Sequence, residues 1–91
     1  MEFTEGCRLL NDALFYFRNG KYKPLLLIIN GLCPYQETEP SKDPESDIKE
    51  AIYLHSALEI KDTPEIRAKF CNLLNGVRAE LLARMNLNPP V

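Results

Sequence analysis

One histidine, His55, and three cysteines, Cys7, Cys33 and Cys71, are the side chains best suited to nucleophilic or soft-metal chemistry. A single histidine excludes a two-histidine metal site. His55 falls inside an apolar stripe and near no cysteine in sequence. A Cys–His nucleophilic pair also needs an orienting third group and an oxyanion site, and nothing here supplies either. His55 therefore reads as a core or edge histidine with a hydrogen bond. The cysteines are odd in number and contain no C-x-x-C, and a redox or metal role calls for closer spacing or a histidine neighbour. They read as buried free thiols in a reducing compartment.

Six carboxylates, Glu37, Glu39, Asp43, Glu45, Asp47 and Glu50, crowd one short span. They read as a solvated loop and helix start, with an acidic docking patch as the alternative. A divalent-cation loop needs a fixed ligand pattern with Gly at the turn, which this span lacks. No catalytic residue, cofactor site or metal site is assigned, and the chain is not expected to be an enzyme.

The whole chain points the same way. Ninety-one residues suit one small domain of marginal stability, spanning 1–91. A hydrophobic fraction of 45% with 26% charged residues excludes a disordered chain. A net charge of −2, with Lys and Arg scattered rather than clustered, argues against nucleic-acid binding. There is no signal-peptide pattern and no apolar run near the ~20 residues of a membrane span. The expected location is the cytoplasm.

The elements that must position these residues are helical. The longest periodic segment runs from Thr63 to Leu87, where Ile66, Phe70, Leu73, Val77 and Leu81 make one seam, widened by Leu74 and Met85. Thr63 suits the N-cap and Pro64 the first turn, and Asn88-Pro89-Pro90 is the expected stop. A first helix is expected over Thr4 to Arg18, with Phe3, Cys7, Leu10, Ala13, Leu14 and Phe17 on its core stripe and Asn19-Gly20 as its end. Pro24 to Asn30 reads as a short second helix closed at Asn30-Gly31, although the apolar run Leu25–Ile29 leaves a buried strand open. Residues 31–43, with Pro34 and Pro40, read as a mobile loop. A third helix starts at Asp43 or Ser46 and turns Ile48, Ala51, Ile52, Leu54, His55 and Leu58 inward, with Tyr53 and Ile60 on another side. The short link to Thr63 makes the last two helices antiparallel neighbours.

The fold class is therefore all-α: four helices in antiparallel hairpins, either a repeat-like pair or a small bundle. Gly76 sits mid-helix, where Gly costs about 0.5–1 kcal/mol relative to Ala. It marks either a tolerated, slightly kinked position or the close approach of another backbone, where any side chain would clash.

Surplus apolar surface is the best functional signal. Phe15, Tyr16, the second helix, Tyr53, Ile60 and Leu82 exceed what one small helical core faces inward. They predict a partner: another protein presenting a helical segment, or a second copy of the chain. The main expectation is a non-enzymatic adaptor or chaperone that buries an amphipathic helix in an apolar groove. The alternative is a homodimeric bundle with a structural or regulatory role.

Two segments resemble tetratricopeptide (TPR) hairpins. Tyr16, Gly20 and Tyr22, with Ala13 before and Leu25 and Ile29 after, resemble the aromatic–Gly–x–aromatic junction of a TPR unit. Glu50-Ala51-Ile52 through Ala57-Leu58-Glu59-Ile60 resembles a second TPR helix. Pro64-Glu65-Ile66, Phe70 and Asn75-Gly76-Val77-Arg78-Ala79-Glu80-Leu81 are similar to the end of the small TPR-type chaperones of type III secretion needle subunits. That resemblance implies an apolar groove for a subunit's C-terminal helix. Its lining would be Leu14, Phe17, Tyr22, Leu26 and Ile29, facing Phe70, Val77 and Leu81 of the last helix. With Phe15 and Tyr53 from the surplus surface, these form the candidate partner-binding set.

Overall fold

The computed structural model of the chain describes residues 3–86, with side chains from Arg8 onward. The Asn88-Pro89-Pro90 stop and the placement of the Phe3 and Cys7 side chains lie outside the described residues. Four α-helices follow one another: α1 (Phe3–Arg18), α2 (Tyr22–Leu32), α3 (Pro44–Ile60) and α4 (Pro64–Arg84). Leu25–Ile29 is helix, as the absence of a second strand-like run suggested.

Local chemistry accounts for each boundary. Gly20 takes the left-handed conformation at φ 69°, and the Lys21 N–H donates to Tyr16 O at 2.9 Å, which closes α1. Asp43 caps α3 by accepting from the Ser46 N–H, and Thr63 caps α4 by accepting from the Ile66 N–H. Pro44 and Pro64 stand in the first turns, where a missing N–H costs nothing.

Three helix ends differ from expectation. Helix α2 begins before Pro24, which then occupies the first turn, and runs through Gly31 to Leu32. It stops because Cys33 precedes Pro34 and is pushed to extended backbone, φ −138° and ψ 137°. Helix α4 ends at Arg84 instead of reaching Leu87. The Met85 N–H caps it on Leu81 O at 2.9 Å, and Asn86 adopts the left-handed region at φ 56°.

The helices pack as a ring. α1 touches α2 and α3, and α4 touches α3 and α2. α1 and α4 are thus diagonal, as are α2 and α3. The Arg18–Glu45 ion pair at 2.9 Å sets the end of α1 beside the start of α3. Arg84 donates to the Tyr22 hydroxyl at 3.3 Å, which sets the end of α4 beside the start of α2. Both pairs therefore run in opposite senses. The interior is filled by Leu10 and Ala13 of α1, Leu25 and Ile29 of α2, Ile48, Ala51, Leu54 and Leu58 of α3, and Phe70, Leu74, Val77 and Leu81 of α4.

Candidate functional site

Five successive residues of α4, Leu74 to Arg78, are buried. A helix on the rim of a bundle buries one stripe, so burial on every side means that something covers its outer face. The cover is the segment between α2 and α3. Its Gln36 N–H donates to Asn75 Oδ1 at 2.9 Å, and its Ser41 N–H donates to Gly76 O at 2.9 Å. Asn75 Nδ2 donates to Cys71 O at 2.9 Å and reaches Pro34 O at 3.4 Å. One amide side chain thus fastens the loop to the helix with both its donor and its acceptor.

Arg78 completes the clamp. It is only 2% exposed, and among the described residues no carboxylate pairs with it. Its Nε donates to Asn30 Oδ1 at 3.1 Å and its Nη2 to Cys33 O at 3.0 Å, while Nη1 donates to Asn75 Oδ1. The Tyr35 ring lies over the guanidinium, 5.5 Å from centroid to Cζ. Burial holds the Arg78 pKa below its ordinary value. A planar fork with several donors is the side chain that can join the end of α2, the loop and α4 in this way.

Gly76 meets the same loop. A Cβ added there would stand 3.4 Å from Glu39 O, in van der Waals contact. Another backbone does come close, but the expected clash of any side chain is not met at a Cβ. It leaves room for a methyl group but not for a longer side chain. Beside this clamp lies a cleft of about 240 Å³ lined by Tyr35, Gln36, Glu37, Thr38, Asn75, Ala79, Leu82 and Ala83.

Four of the six acidic residues make structural contacts. Glu45 pairs with Arg18 and Lys49, Glu50 with Lys69, Asp47 accepts from the Ser41 hydroxyl, and Asp43 is the α3 cap. The Arg18 hydrogen bond holds the Glu45 carboxyl below the usual carboxylate range. Among the described residues no cluster of three or more His, Cys, Asp or Glu side chains can hold a metal ion. His55 is buried, tilted against Phe70 at 5.8 Å between ring centroids. Burial lowers its pKa, opposed by Glu59.

The candidate partner-binding residues divide three ways. Ile29, Phe70, Val77 and Leu81 belong to the chain's own core and offer no surface to a partner, because α4 packs against both α2 and α3 there. Of the five residues given for the groove that the TPR resemblance implies, Ile29 alone is fully buried. Leu14, Phe17, Tyr22 and Leu26 are half-buried, with Phe17 stacked on Tyr22 at 6.1 Å and covered by Arg84 at 5.4 Å. Phe15 and Tyr53 are open, at 59% and 72% exposed, and so is Ile60 at 89%.

These three sit on α1 and α3, which pack against each other. Tyr53 and Ile60 are seven residues apart and share one stripe of α3, opposite its buried face. Leu27 on α2 is also exposed, at 72%. Sequence reasoning missed the clamp residues Asn75 and Arg78, whose only signal was polar character next to a mid-helix Gly. No described helix is long and apolar enough to cross a membrane. Comparison with known protein families, with curated proteins and with solved structures finds no match for this chain.

Proposed function

We propose that this protein is a non-enzymatic binding module, an adaptor or chaperone that docks an amphipathic helix of another protein on the outer face of α1 and α3. The observation that carries this reading is the exposure of Phe15, Tyr53 and Ile60 on two adjacent helices. Full burial of such side chains contributes about 1.5–3 kcal/mol each, which suits them as anchors for a docked helix. The resemblance to TPR-type chaperones of type III secretion needle subunits supports a helical cargo of that kind. Two free thiols, Cys33 and Cys71, suit a cytoplasmic location.

A second reading is a homodimer through the same face. The seven-residue spacing of Tyr53 and Ile60 favours it, since that repeat keeps a helical seam toward a parallel or antiparallel copy. Sedimentation velocity of the purified full-length chain separates the two. A concentration-independent dimer supports self-association. A monomer that binds a co-purifying protein, and releases it when Phe15 and Tyr53 are both changed to Glu, supports the module. A monomer whose partner is retained by that double variant contradicts both.

A further inference from the structure

Cys33 and Cys71 are far apart in sequence and together in space. Cys33 ends α2 and is 2% exposed, and Cys71 lies half-buried on α4 against the same core. The single Nδ2 of Asn75 reaches both Cys71 O and Pro34 O, so the backbones at the two cysteines share one donor. The Cys71 side chain is near enough to that of Cys33 to help raise its pKa, and both thiols are free. Arg67, one turn before Cys71, is held by Asp62 and adds positive charge beside both thiols.

We propose that Cys33 and Cys71 are a modification site: they form a reversible intramolecular disulfide that fastens the end of α2 to α4, with a small-molecule disulfide of the glutathione class as oxidant. Cys71, the more exposed thiol, attacks as thiolate. Its sulfur bonds to one sulfur of the oxidant, the oxidant's S–S bond breaks, and one thiolate leaves and takes up the proton Cys71 gave. Cys33 then attacks the Cys71 sulfur of the mixed disulfide, passes its proton to the second leaving thiolate, and closes the protein disulfide. Two protein thiols lose two electrons and the oxidant gains them as two thiols, with no net proton released. Burial, with Cys71 as the next cause, raises the Cys33 pKa, which makes Cys33 the poorer nucleophile for the first attack.

The test equilibrates the full-length chain in glutathione buffers of graded oxidised-to-reduced ratio, in native buffer and in concentrated urea. Free thiols are then alkylated and the peptides mapped by mass. The expected product is the Cys33–Cys71 linked peptide, with an equilibrium constant about tenfold or more above its value in urea. The oxidised protein should melt on the order of 10 °C higher. Cys71→Ser should abolish both the link and the shift, while Cys7→Ser keeps both. A constant no higher in native buffer than in urea would overturn the proposal. So would a glutathione adduct on Cys71 that never resolves, or a main disulfide that includes Cys7.

Discussion

Arg78 Nη2 donates to the Cys33 carbonyl at 3.0 Å, joining the middle of the last helix to the end of the second across 45 positions of chain. The same side chain holds Asn30 and Asn75. Its removal leaves Cys33 O without that donor and opens a void under Tyr35. Arg78→Ala should destabilise the protein by about 3 kcal/mol or more. Arg78→Lys should remain clearly destabilised, because one ammonium cannot span three acceptors on different elements. Urea unfolding of both variants against the parent measures this, and wild-type stability in Arg78→Ala would show that the clamp contributes nothing.

Within residues 33–43, the amides of Gln36 and Ser41 donate to α4. Native-state hydrogen exchange should find these two protected above the exposed amides around them. Equal, fast exchange throughout the segment would mean a loop that moves freely over α4.

Gly76→Ala combines two opposing effects. Helix propensity favours Ala by about 1 kcal/mol, and the new methyl stands 3.4 Å from Glu39 O. The net change should stay within about 1 kcal/mol. Gly76→Leu has no such room and should cost about 2 kcal/mol or more by lifting the loop. Equal stability of the two variants would contradict the close approach.

His55 makes stability depend on pH. Its folded pKa lies below the ordinary 6.5, because burial disfavours the imidazolium more than Glu59 supports it. The unfolded chain therefore takes the proton first. The neutral histidine's contribution is complete above pH 6.5 and is lost as pH falls from there toward the folded value. Chemical denaturation across that range should show the fall in the parent protein and a flatter profile in His55→Gln. A parent profile that rises on acidification would reverse the assigned sign.

Periodicity made three of the four helices and their inward faces readable, because amphipathic spacing and Pro or Gly punctuation act locally. The α3 face of Ile48, Ala51, Leu54, His55 and Leu58 is the clearest case. α2 was readable only by elimination, since an apolar run fits helix and strand alike. The clamp was not readable. Asn75 and Arg78 act on Gln36 and Cys33, distant in sequence, and polar residues mid-helix look the same whether they face water or hold a loop. The adjacency of Cys33 and Cys71 was hidden for the same reason. The acidic residues carried a composition signal, but their caps and ion pairs depend on neighbours such as Arg18 and Lys69, supplied by other helices.

Phe15→Glu and Tyr53→Glu alter exposed side chains, so each should change stability by no more than about 0.5 kcal/mol. Urea unfolding of each variant checks this, and a larger loss would assign these rings to the fold. Their neutrality for folding is what makes them useful probes of binding.

A photo-crosslinking phenylalanine analogue placed at Tyr53, and for comparison at the exposed Asn72 of α4, tests the docking face most directly. Irradiation in the protein's native cells should give one discrete adduct from position 53, of a partner's mass or of twice the chain's own, and none from position 72. No adduct from position 53, or the same adducts from both positions, would contradict the account.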